Sequence, residues 1–303
     1  MEPKKGFITI ATGKEEYYEL AVNLLHTYRL FCNDPLPFAI LSDRENKYTE
    51  EFDDVIILEN ATNSYLDKLR LADYCPYDTT IFIDSDCLAY GNLNTLFHYF
   101  ETADDMSCFG RVLPLDDKTG WFEYDNLGDL KSKVTYCVGL HGGIYYMRNT
   151  PKCKAVFDSA RKLVQQYESF KFKGKFSTPG DEPLIALAMA VNRCKPVPFR
   201  IDAICCYWEY MDCMKIDISK SKASVMKEIN KDTILLHWGT RYTRSLKYKR
   251  EVQLLSILED KDKSNKLKIS LCKMKYGILF IINDVKCFIT RVRNKILRMI
   301  GIK

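Results

Sequence analysis

The chain has 303 residues, of which 47% are hydrophobic and 13% aromatic, so general disorder is excluded and a sizeable core is expected. Residues 261–303 hold 12 basic and 2 acidic residues (net +10), which leaves 33 basic and 38 acidic residues (net −5) for residues 1–260. An acidic body without a basic, aromatic-interleaved patch argues against nucleic-acid binding. We therefore predict a body, residues 1–260, and a basic C-terminal segment, residues 261–303, with a separate role.

The first half of the chain alternates strand and helix patterns. We predict strands at residues 7–12, 37–41, 55–58 and 80–83, and helices at residues 17–31 and 65–74. This alternation is typical of an α/β fold with a mostly parallel central sheet and helices on both faces. In such sheets, ligands bind beyond the carboxyl ends of the strands.

The second half has a more mixed pattern. We predict a strand at residues 142–147, helices at residues 151–170 and 184–191, and a strand at residues 233–236. Asp181 is the predicted N-cap of the second of these helices, with Pro183 in its first turn. The last strand ends at His237, so an imidazole follows a strand end.

Two carboxylates, Asp84 and Asp86, directly follow the predicted strand at residues 80–83. An Asp-x-Asp at this position can hold Mg²⁺ or Mn²⁺ and, through the cation, the diphosphate of a nucleotide. Asp-Ser-Asp is also ordinary turn sequence after a strand. The Ala11-Thr12-Gly13 loop lies at the carboxyl end of another strand of the same predicted sheet, which supports the metal hypothesis.

The twelve cysteines are scattered, apart from the adjacent Cys205 and Cys206, and no C-x-x-C motif is present. This pattern argues against a zinc site and suits reduced core thiols in a cytosolic protein. Because no secretory signal is recognisable, we predict a cytoplasmic location.

Six short motifs follow one another along the chain. They are Ala11, Thr12 and Tyr17; Lys68 and Leu69; Asp84, Ser85 and Asp86; His141, Gly142 and Gly143; Asp181 and Glu182; and His237. In this order they resemble the motifs of nucleotide-sugar glycosyltransferases of the GT-A fold. The resemblance is greatest to family 8, which includes glycogenin and bacterial lipopolysaccharide galactosyl- and glucosyltransferases, and it covers roughly residues 6–245.

The resemblance implies a single, Rossmann-like GT-A domain that moves a hexose from a nucleotide diphosphate sugar, UDP-glucose or UDP-galactose, to a glycan or glycolipid. Family 8 enzymes retain the anomeric configuration, so retention is expected. The implied cofactor is Mn²⁺, or Mg²⁺, bound by Asp84, Asp86 and His237, and imidazole favours Mn²⁺. The implied nucleotide-binding residues are Ala11, Thr12, Tyr17, Lys68, Asp84 and Ser85. The implied sugar-binding residues are His141, Gly142, Gly143 and Asp181.

The chain departs from the family pattern at three places. A Lys-Pro-Trp that follows the late His in the family is absent, and Arg241 or Arg244 is expected to supply the missing cation. We count Arg241 among the sugar-binding residues. His141 stands in place of an Asn and Glu182 in place of a Gln, so the resemblance leaves the donor sugar and the stereochemistry open.

Glu182 and Asp181 are the predicted catalytic residues. The Glu182 carboxylate fits a covalent glycosyl intermediate or stabilisation of an oxocarbenium-like state, both with retention. It fits equally a general base for the acceptor, with inversion. Helix capping is the structural alternative for both residues. The aromatic run at residues 207–210 fits either an acceptor-sugar platform or core packing.

The C-terminal segment has the pattern of a basic amphipathic helix. Its apolar residues recur on one helical face at Ile278, Ile281, Ile282, Val285, Ile289, Val292, Ile296 and Met299. Basic residues on the other face are Lys286, Arg291, Lys295 and Arg298. We predict that residues 266–303 lie on an anionic membrane surface, with packing against the body or a partner as the alternative. The protein is then peripheral on the cytoplasmic face.

These patterns together predict a metal-dependent glycosyltransferase of polysaccharide biosynthesis. One rival is a nucleotidyltransferase, but the loop at residues 11–15 is a poor version of the basic, glycine-rich loop that such enzymes carry. The other rival is a non-catalytic sugar-binding relative, against which the presence of both Asp84 and Asp86 argues.

Overall fold

The structure is a computed structural model that describes residues 4–173, 179–226, 231–260 and 265–299, with side chains up to residue 295. The strands are β1 Lys5–Ala11, β2 Phe38–Ser42, β3 Asp54–Ile57, β4 Thr79–Ile83, β5 Cys87–Ala89, β6 Met106–Ser107, β7 Phe109–Leu113, β8 Cys137–Leu140, β9 Ile144–Arg148, β10 Val197–Pro198, β11 Ile204–Cys206, β12 Met214–Asp217, β13 Lys222–Val225, β14 Lys231–Asp232 and β15 Leu235–His237. The α-helices are α1 Glu15–Phe31, α2 Leu96–Tyr99, α3 Pro151–Leu163, α4 Asp181–Val191, α5 Tyr207–Tyr210, α6 Leu246–Glu259 and α7 Asn265–Met299. Short 3-10 helices are Thr49–Glu51, Tyr65–Asp73, Leu93–Thr95, Tyr124–Ser132, Val164–Phe170 and Ile218–Lys220.

The central sheet has six strands in the order β3-β2-β1-β4-β9-β6. The first four are parallel, whereas β9 runs antiparallel to both β4 and β6. The prediction of an α/β fold is confirmed, but the sheet is mixed rather than mostly parallel. The strand–helix alternation stops after β4, and β9 enters from the short sheet formed by β7, β8 and β10, so no crossover helix makes it parallel.

Apolar layers cover both faces of this sheet. Strands β2 and β4 are buried along their whole length, as expected for strands with helices on both sides. One core cluster includes α1, and the other includes α3 and α4. Helix α4 is apolar on all sides, and Leu184 to Ala190 are fully buried, so this helix is held by packing rather than by amphipathicity.

A three-stranded sheet in the order β11-β15-β5 links the two halves of the chain. In its register, Cys206 pairs with His237 and His237 pairs with Cys87. Because β5 begins directly after the Asp84–Asp86 turn, this pairing brings the late strand of the chain to the end of β4.

Three local predictions differ from the structure. The predicted helix at residues 65–74 is a 3-10 helix, and the predicted helix at residues 151–170 is α3 followed by a 3-10 turn. Asp181 is not the N-cap of α4: it is the first helical residue, Gly180 occupies the cap position, and no side chain caps the helix. The Asp181 side chain bonds Tyr145 and Lys68 instead, so tertiary contacts outweigh local capping.

Helix α7 begins on the body and ends away from it. Its Cys272 and Tyr276 are buried in the same cluster as Leu254 and Leu255 of α6. From residue 281 to residue 295 every side chain is exposed. No described helix is long and apolar enough to span a membrane. Residues 261–264 and 300–303 of the predicted segment, and the side chains of Ile296, Arg298 and Met299, lie outside the described structure.

Candidate active site

The Asp84-Ser85-Asp86 turn lies between β4 and β5, at the carboxyl end of the parallel strands. The Cys87 amide donates to the Asp84 carbonyl (3.1 Å) and closes the turn. The Asp84 amide donates to the Gly143 carbonyl (3.0 Å), which ties the turn to the start of β9. The two carboxylates therefore have a fixed backbone, although Asp84 and Ser85 are only partly buried.

His237 faces both carboxylates. Its Nε2 atom lies 3.0 Å from Asp86 Oδ1 and 3.8 Å from Asp84 Oδ2. The other oxygen of Asp86, Oδ2, accepts a hydrogen bond from the Thr240 hydroxyl (3.1 Å), and the Trp238 amide donates to the Asp86 carbonyl (3.1 Å). Residues 237–240 thus surround Asp86 from the late half of the chain.

Lys68 supplies a positive charge to the acidic cluster of Asp84, Asp86 and Asp181. Its Nζ atom lies 2.7 Å from Asp84 Oδ1 and 3.6 Å from Asp181 Oδ2. Burial disfavours the ammonium, but the charges of Asp181 and Asp84 outweigh it and raise the pKa of Lys68. A permanent cation therefore stands between the Asp84 turn and the start of α4.

Asp181 and Glu182 are held by different partners. The Tyr145 hydroxyl donates to Asp181 Oδ2 (2.9 Å), and the Gly142 amide donates to Glu182 Oε1 (2.8 Å). A Cβ at position 142 would lie 2.5 Å from Glu182 Oε1, so glycine is required for this approach. Burial, followed by the charge of Asp181, raises the pKa of Glu182 to about 7.

The His141 ring packs edge to face against the His237 ring, with the ring centroids 5.2 Å apart. Its Nε2 atom contacts the Cys206 sulfur (2.7 Å), and its Nδ1 atom accepts from the Gly143 amide (3.1 Å). Burial and the charge of His237 lower the pKa of His141 to about 3, so this imidazole is neutral. A Cβ at position 143 would lie 2.7 Å from the His141 ring and 2.8 Å from His237 Nδ1.

The pKa values of Asp84 and Asp86 shift in opposite directions. Burial raises the pKa of Asp84 in spite of Lys68. Burial acts the same way on Asp86, but His237 and Lys68 outweigh it and lower its pKa. Burial also opposes protonation of His237, yet Asp86 and Asp84 raise its pKa. In the cation-free protein, the proton on His237 balances the Asp86 charge.

The residues present fit a hard divalent cation. His237 Nδ1 is buried without a hydrogen-bond partner, Asp86 Oδ1 is paired with His237 Nε2, and the ligand atoms of Asp86, Cys87 and His237 lie within 4.8 Å of one another. Carboxylate oxygens and one imidazole are suitable for Mn²⁺ or Mg²⁺. Burial raises the pKa of the Cys87 thiol well above its usual range, so this sulfur stays protonated and is a poor ligand.

The predicted nucleotide-side residues lie at the end of the neighbouring strand. Ala11 ends β1 and is buried, and Tyr17 is half-buried on α1. The Thr12 hydroxyl donates to Asp67 Oδ2 (3.3 Å) on the 3-10 helix that carries Lys68. Since β1 and β4 are parallel neighbours, Ala11 and the Asp84 turn lie at the same edge of the sheet.

Arg241 is not joined to this cluster. It is exposed, and its guanidinium lies over the Tyr242 ring at 5.8 Å. Arg244 pairs with Glu16 (2.9 Å) on α1. In the described structure, Lys68 is therefore the cation in direct contact with the acidic cluster, and neither arginine reaches it.

Three residues of the site were not predicted from the sequence. Tyr145, Thr240 and Cys206 contact Asp181, Asp86 and His141, respectively. The one signal for Tyr145 is its position inside the strand that follows Gly142 and Gly143. The sequence around Thr240 does not predict its contact with Asp86, because this contact depends on the tertiary fold.

No protein-family model and no curated protein matches this chain. Among solved structures, it is similar to the galactosyltransferase LgtC in complex with donor and acceptor sugar analogues, with a TM-score of 0.50, 12% identity, and 87% of this chain and 99% of that chain covered. Mouse xyloside xylosyltransferase 1 in its apo form gives a TM-score of 0.48 at 13% identity, with 78% of this chain and 98% of that chain covered. An active-site mutant of LgtC gives a TM-score of 0.46 at 10% identity, with 77% of this chain and 87% of that chain covered. The likeness to the LgtC complex agrees with the predicted GT-A fold, whereas membership of family 8 stays a prediction.

Proposed function

We propose that the protein is a metal-dependent glycosyltransferase that moves a hexose from a nucleotide diphosphate sugar, with UDP-glucose or UDP-galactose as the favoured donor, to a glycan or glycolipid in polysaccharide biosynthesis. The proposal depends on one arrangement: Asp84, Asp86 and His237 converge at the carboxyl end of β4 with Lys68 beside them. The fold similarity to a galactosyltransferase supports the same reaction class.

The proposed cation is Mn²⁺ or Mg²⁺, held by Asp86, His237 and Asp84. When bound, it neutralises the negative charge that develops on a leaving nucleotide diphosphate. Asp84 and Asp86 are fixed by the turn, and Thr240 orients the second oxygen of Asp86. Lys68 adds a fixed positive charge on the side of Asp181. Together, these residues favour a diphosphate over a neutral leaving group.

The sugar side of the proposed site consists of Asp181, Glu182 and the Gly142–Gly143 turn. Glu182 faces the turn, and its pKa of about 7 allows it to accept or hold a proton near neutral pH. A buried carboxyl group of this kind serves retention through a glycosyl intermediate or front-side stabilisation, which we favour from the family resemblance. It also serves inversion as the base that deprotonates the acceptor.

We also propose that the protein is cytoplasmic and binds the inner face of the membrane through α7. Support comes from the exposed apolar residues Ile281, Val285 and Phe288, and from the basic residues Lys286 and Arg291 on the same unpacked stretch. Exposed apolar side chains next to basic ones are favourable at an anionic lipid surface.

The function is tested with a panel of nucleotide sugars, Mn²⁺ and a set of glycan acceptors. We expect release of a nucleoside diphosphate that stops when EDTA is added and falls at least about 100-fold in Asp86→Asn. Asp158→Asn, an exposed carboxylate on α3, is the matched control and should keep full activity. Pyrophosphate release from a nucleoside triphosphate would identify a nucleotidyltransferase instead. Saturable sugar binding without turnover would identify a non-catalytic relative.

A further inference from the structure

The aromatic run at residues 207–210 is divided by the fold. Tyr207 is buried and stacks on Trp238 with the ring centroids 4.4 Å apart. Trp208, the next residue, is 37% exposed. Core packing therefore accounts for Tyr207, whereas Trp208 keeps a solvent-exposed surface.

Trp208 is fixed directly beside the candidate active site. Its ring meets the His237 ring edge to face, with the centroids 5.0 Å apart and an angle of 78°. On another side it lies against Gly239, where a Cβ would come within 2.9 Å of the indole. Gly239 has a φ of +71°, a conformation that favours glycine, so the backbone here accommodates the indole. The ring is held in place, yet more than a third of the residue faces solvent.

Glu209 follows Trp208 in α5 and supplies an acidic group. It is exposed and has no hydrogen-bond or ion-pair partner among the described residues. An exposed carboxylate that directly follows a fixed aromatic residue in sequence is a combination suited to a pyranose ring, since the C–H face can stack on the indole and hydroxyls can donate to a carboxylate.

We propose that Trp208 and Glu209 form the acceptor subsite, which takes the terminal hexopyranose of a glycan by stacking on Trp208. The role of this subsite in holding the acceptor rests on the proposed function. Sugar binding by Trp208 is testable without turnover. The subsite lies on the His237 side of the cluster. The donor diphosphate would lie between the proposed metal ligands and Lys68.

The test uses the fluorescence of the protein itself. The chain has three tryptophans, and Trp238 is fully buried while Trp121 is partly buried against the core cluster of α3 and α4. We titrate the full chain, with Mn²⁺ and UDP present, with methyl β-galactoside and methyl β-glucoside. At least one glycoside should change the fluorescence saturably in the wild type and in Trp121→Phe, and the change should be lost in Trp208→Phe.

A second measurement does not depend on fluorescence. Calorimetric titration of the same glycoside should show about tenfold weaker binding to Trp208→Ala, with Trp208→Phe in between because it keeps an aromatic face. Glu209→Gln should weaken binding severalfold. Equal affinity for wild type and Trp208→Ala, or the same fluorescence change in Trp208→Phe, would overturn the subsite. Turnover of a nucleotide sugar with an acceptor KM unchanged by Trp208→Ala would overturn it while leaving the proposed function intact.

Discussion

His237 Nε2 lies 3.0 Å from Asp86 Oδ1, although one residue comes from the last strand of the body and the other from the turn after β4. The antiparallel pairing of β15 with β5 places His237 opposite Cys87 and so beside Asp86. In the cation-free protein, this contact raises the pKa of His237 and lowers that of Asp86. A divalent cation would replace the imidazole proton, so metal binding at this site should release a proton.

Lys68→Gln should destabilise the cation-free protein by about 3 kcal/mol at neutral pH, because it leaves the buried Asp181 and the partly buried Asp84 without their cation. Burial already raises the pKa of Asp84, and the loss of Lys68 removes the charge that opposes this rise. The deficit should therefore shrink as the pH falls and Asp84 protonates. Urea unfolding in EDTA at several pH values measures this. Lys152→Gln breaks an exposed pair with Asp104 and should cost less than about 1 kcal/mol. Equal losses in the two variants would contradict the account.

Glu182 should make the cation-free protein less stable as the pH rises. Its folded pKa of about 7 lies above the ordinary glutamate value of 4.5, so its contribution is fully present below about pH 4.5 and is lost as the pH rises through about 7. Relative to Glu182→Gln, the wild type should lose up to about 3 kcal/mol over this range. Thermal unfolding from pH 4.5 to pH 8 checks this, with the exposed Glu50→Gln as control. Parallel pH profiles for wild type and Glu182→Gln would refute it.

Gly143→Ala should displace the imidazoles of His141 and His237, since the new Cβ would come within 2.8 Å of both rings. We expect a loss of about 1–3 kcal/mol in stability and at least about tenfold weaker Mn²⁺ binding. Gly277→Ala is the matched control: no atom lies within 4 Å of its Cβ position, and it lies inside α7. That change should stabilise the helix by up to about 1 kcal/mol. Undiminished Mn²⁺ affinity in Gly143→Ala would show that His237 is not a ligand.

A chain that ends at Phe280 should lose membrane binding and keep its fold. Cys272 and Tyr276, which pack against α6, are retained, whereas the fully exposed stretch from residue 281 is removed. Co-flotation with anionic and with zwitterionic vesicles measures binding. The full chain should float with anionic vesicles alone, and the pair Lys286→Glu and Arg291→Glu should abolish this. Flotation of the shortened chain with anionic vesicles would refute the membrane role of α7.

The sequence predicted the parallel half of the sheet because helix patterns at residues 17–31 and 65–74 separate β1 from β2 and β3 from β4. It missed the reversal of β9, whose direction is set by its neighbours β4 and β6 rather than by its own residues. For the site, the sequence predicted that Ala11, Asp84 and His237 each lie at the end of a strand. Their convergence with Lys68 followed from the family resemblance and is seen in the structure.

Other features of the site were beyond local patterns. Asp181 has the sequence of an N-cap, yet it lies one position inside α4 and bonds Tyr145. Arg241 follows His237 closely in sequence, but the turn at Gly239 directs it to solvent. Trp208 and Tyr207 are adjacent and chemically alike, and only tertiary packing decides which of the two is buried.

The most direct test of the central claim is an electron paramagnetic resonance titration of Mn²⁺ into the full chain, with and without UDP, for wild type and Asp86→Asn. We expect one Mn²⁺ bound per wild-type chain, tighter binding when UDP is present, and at least about 100-fold weaker binding in Asp86→Asn. Equal Mn²⁺ affinity in the two proteins, with no effect of UDP, would contradict a metal–diphosphate site at Asp84, Asp86 and His237.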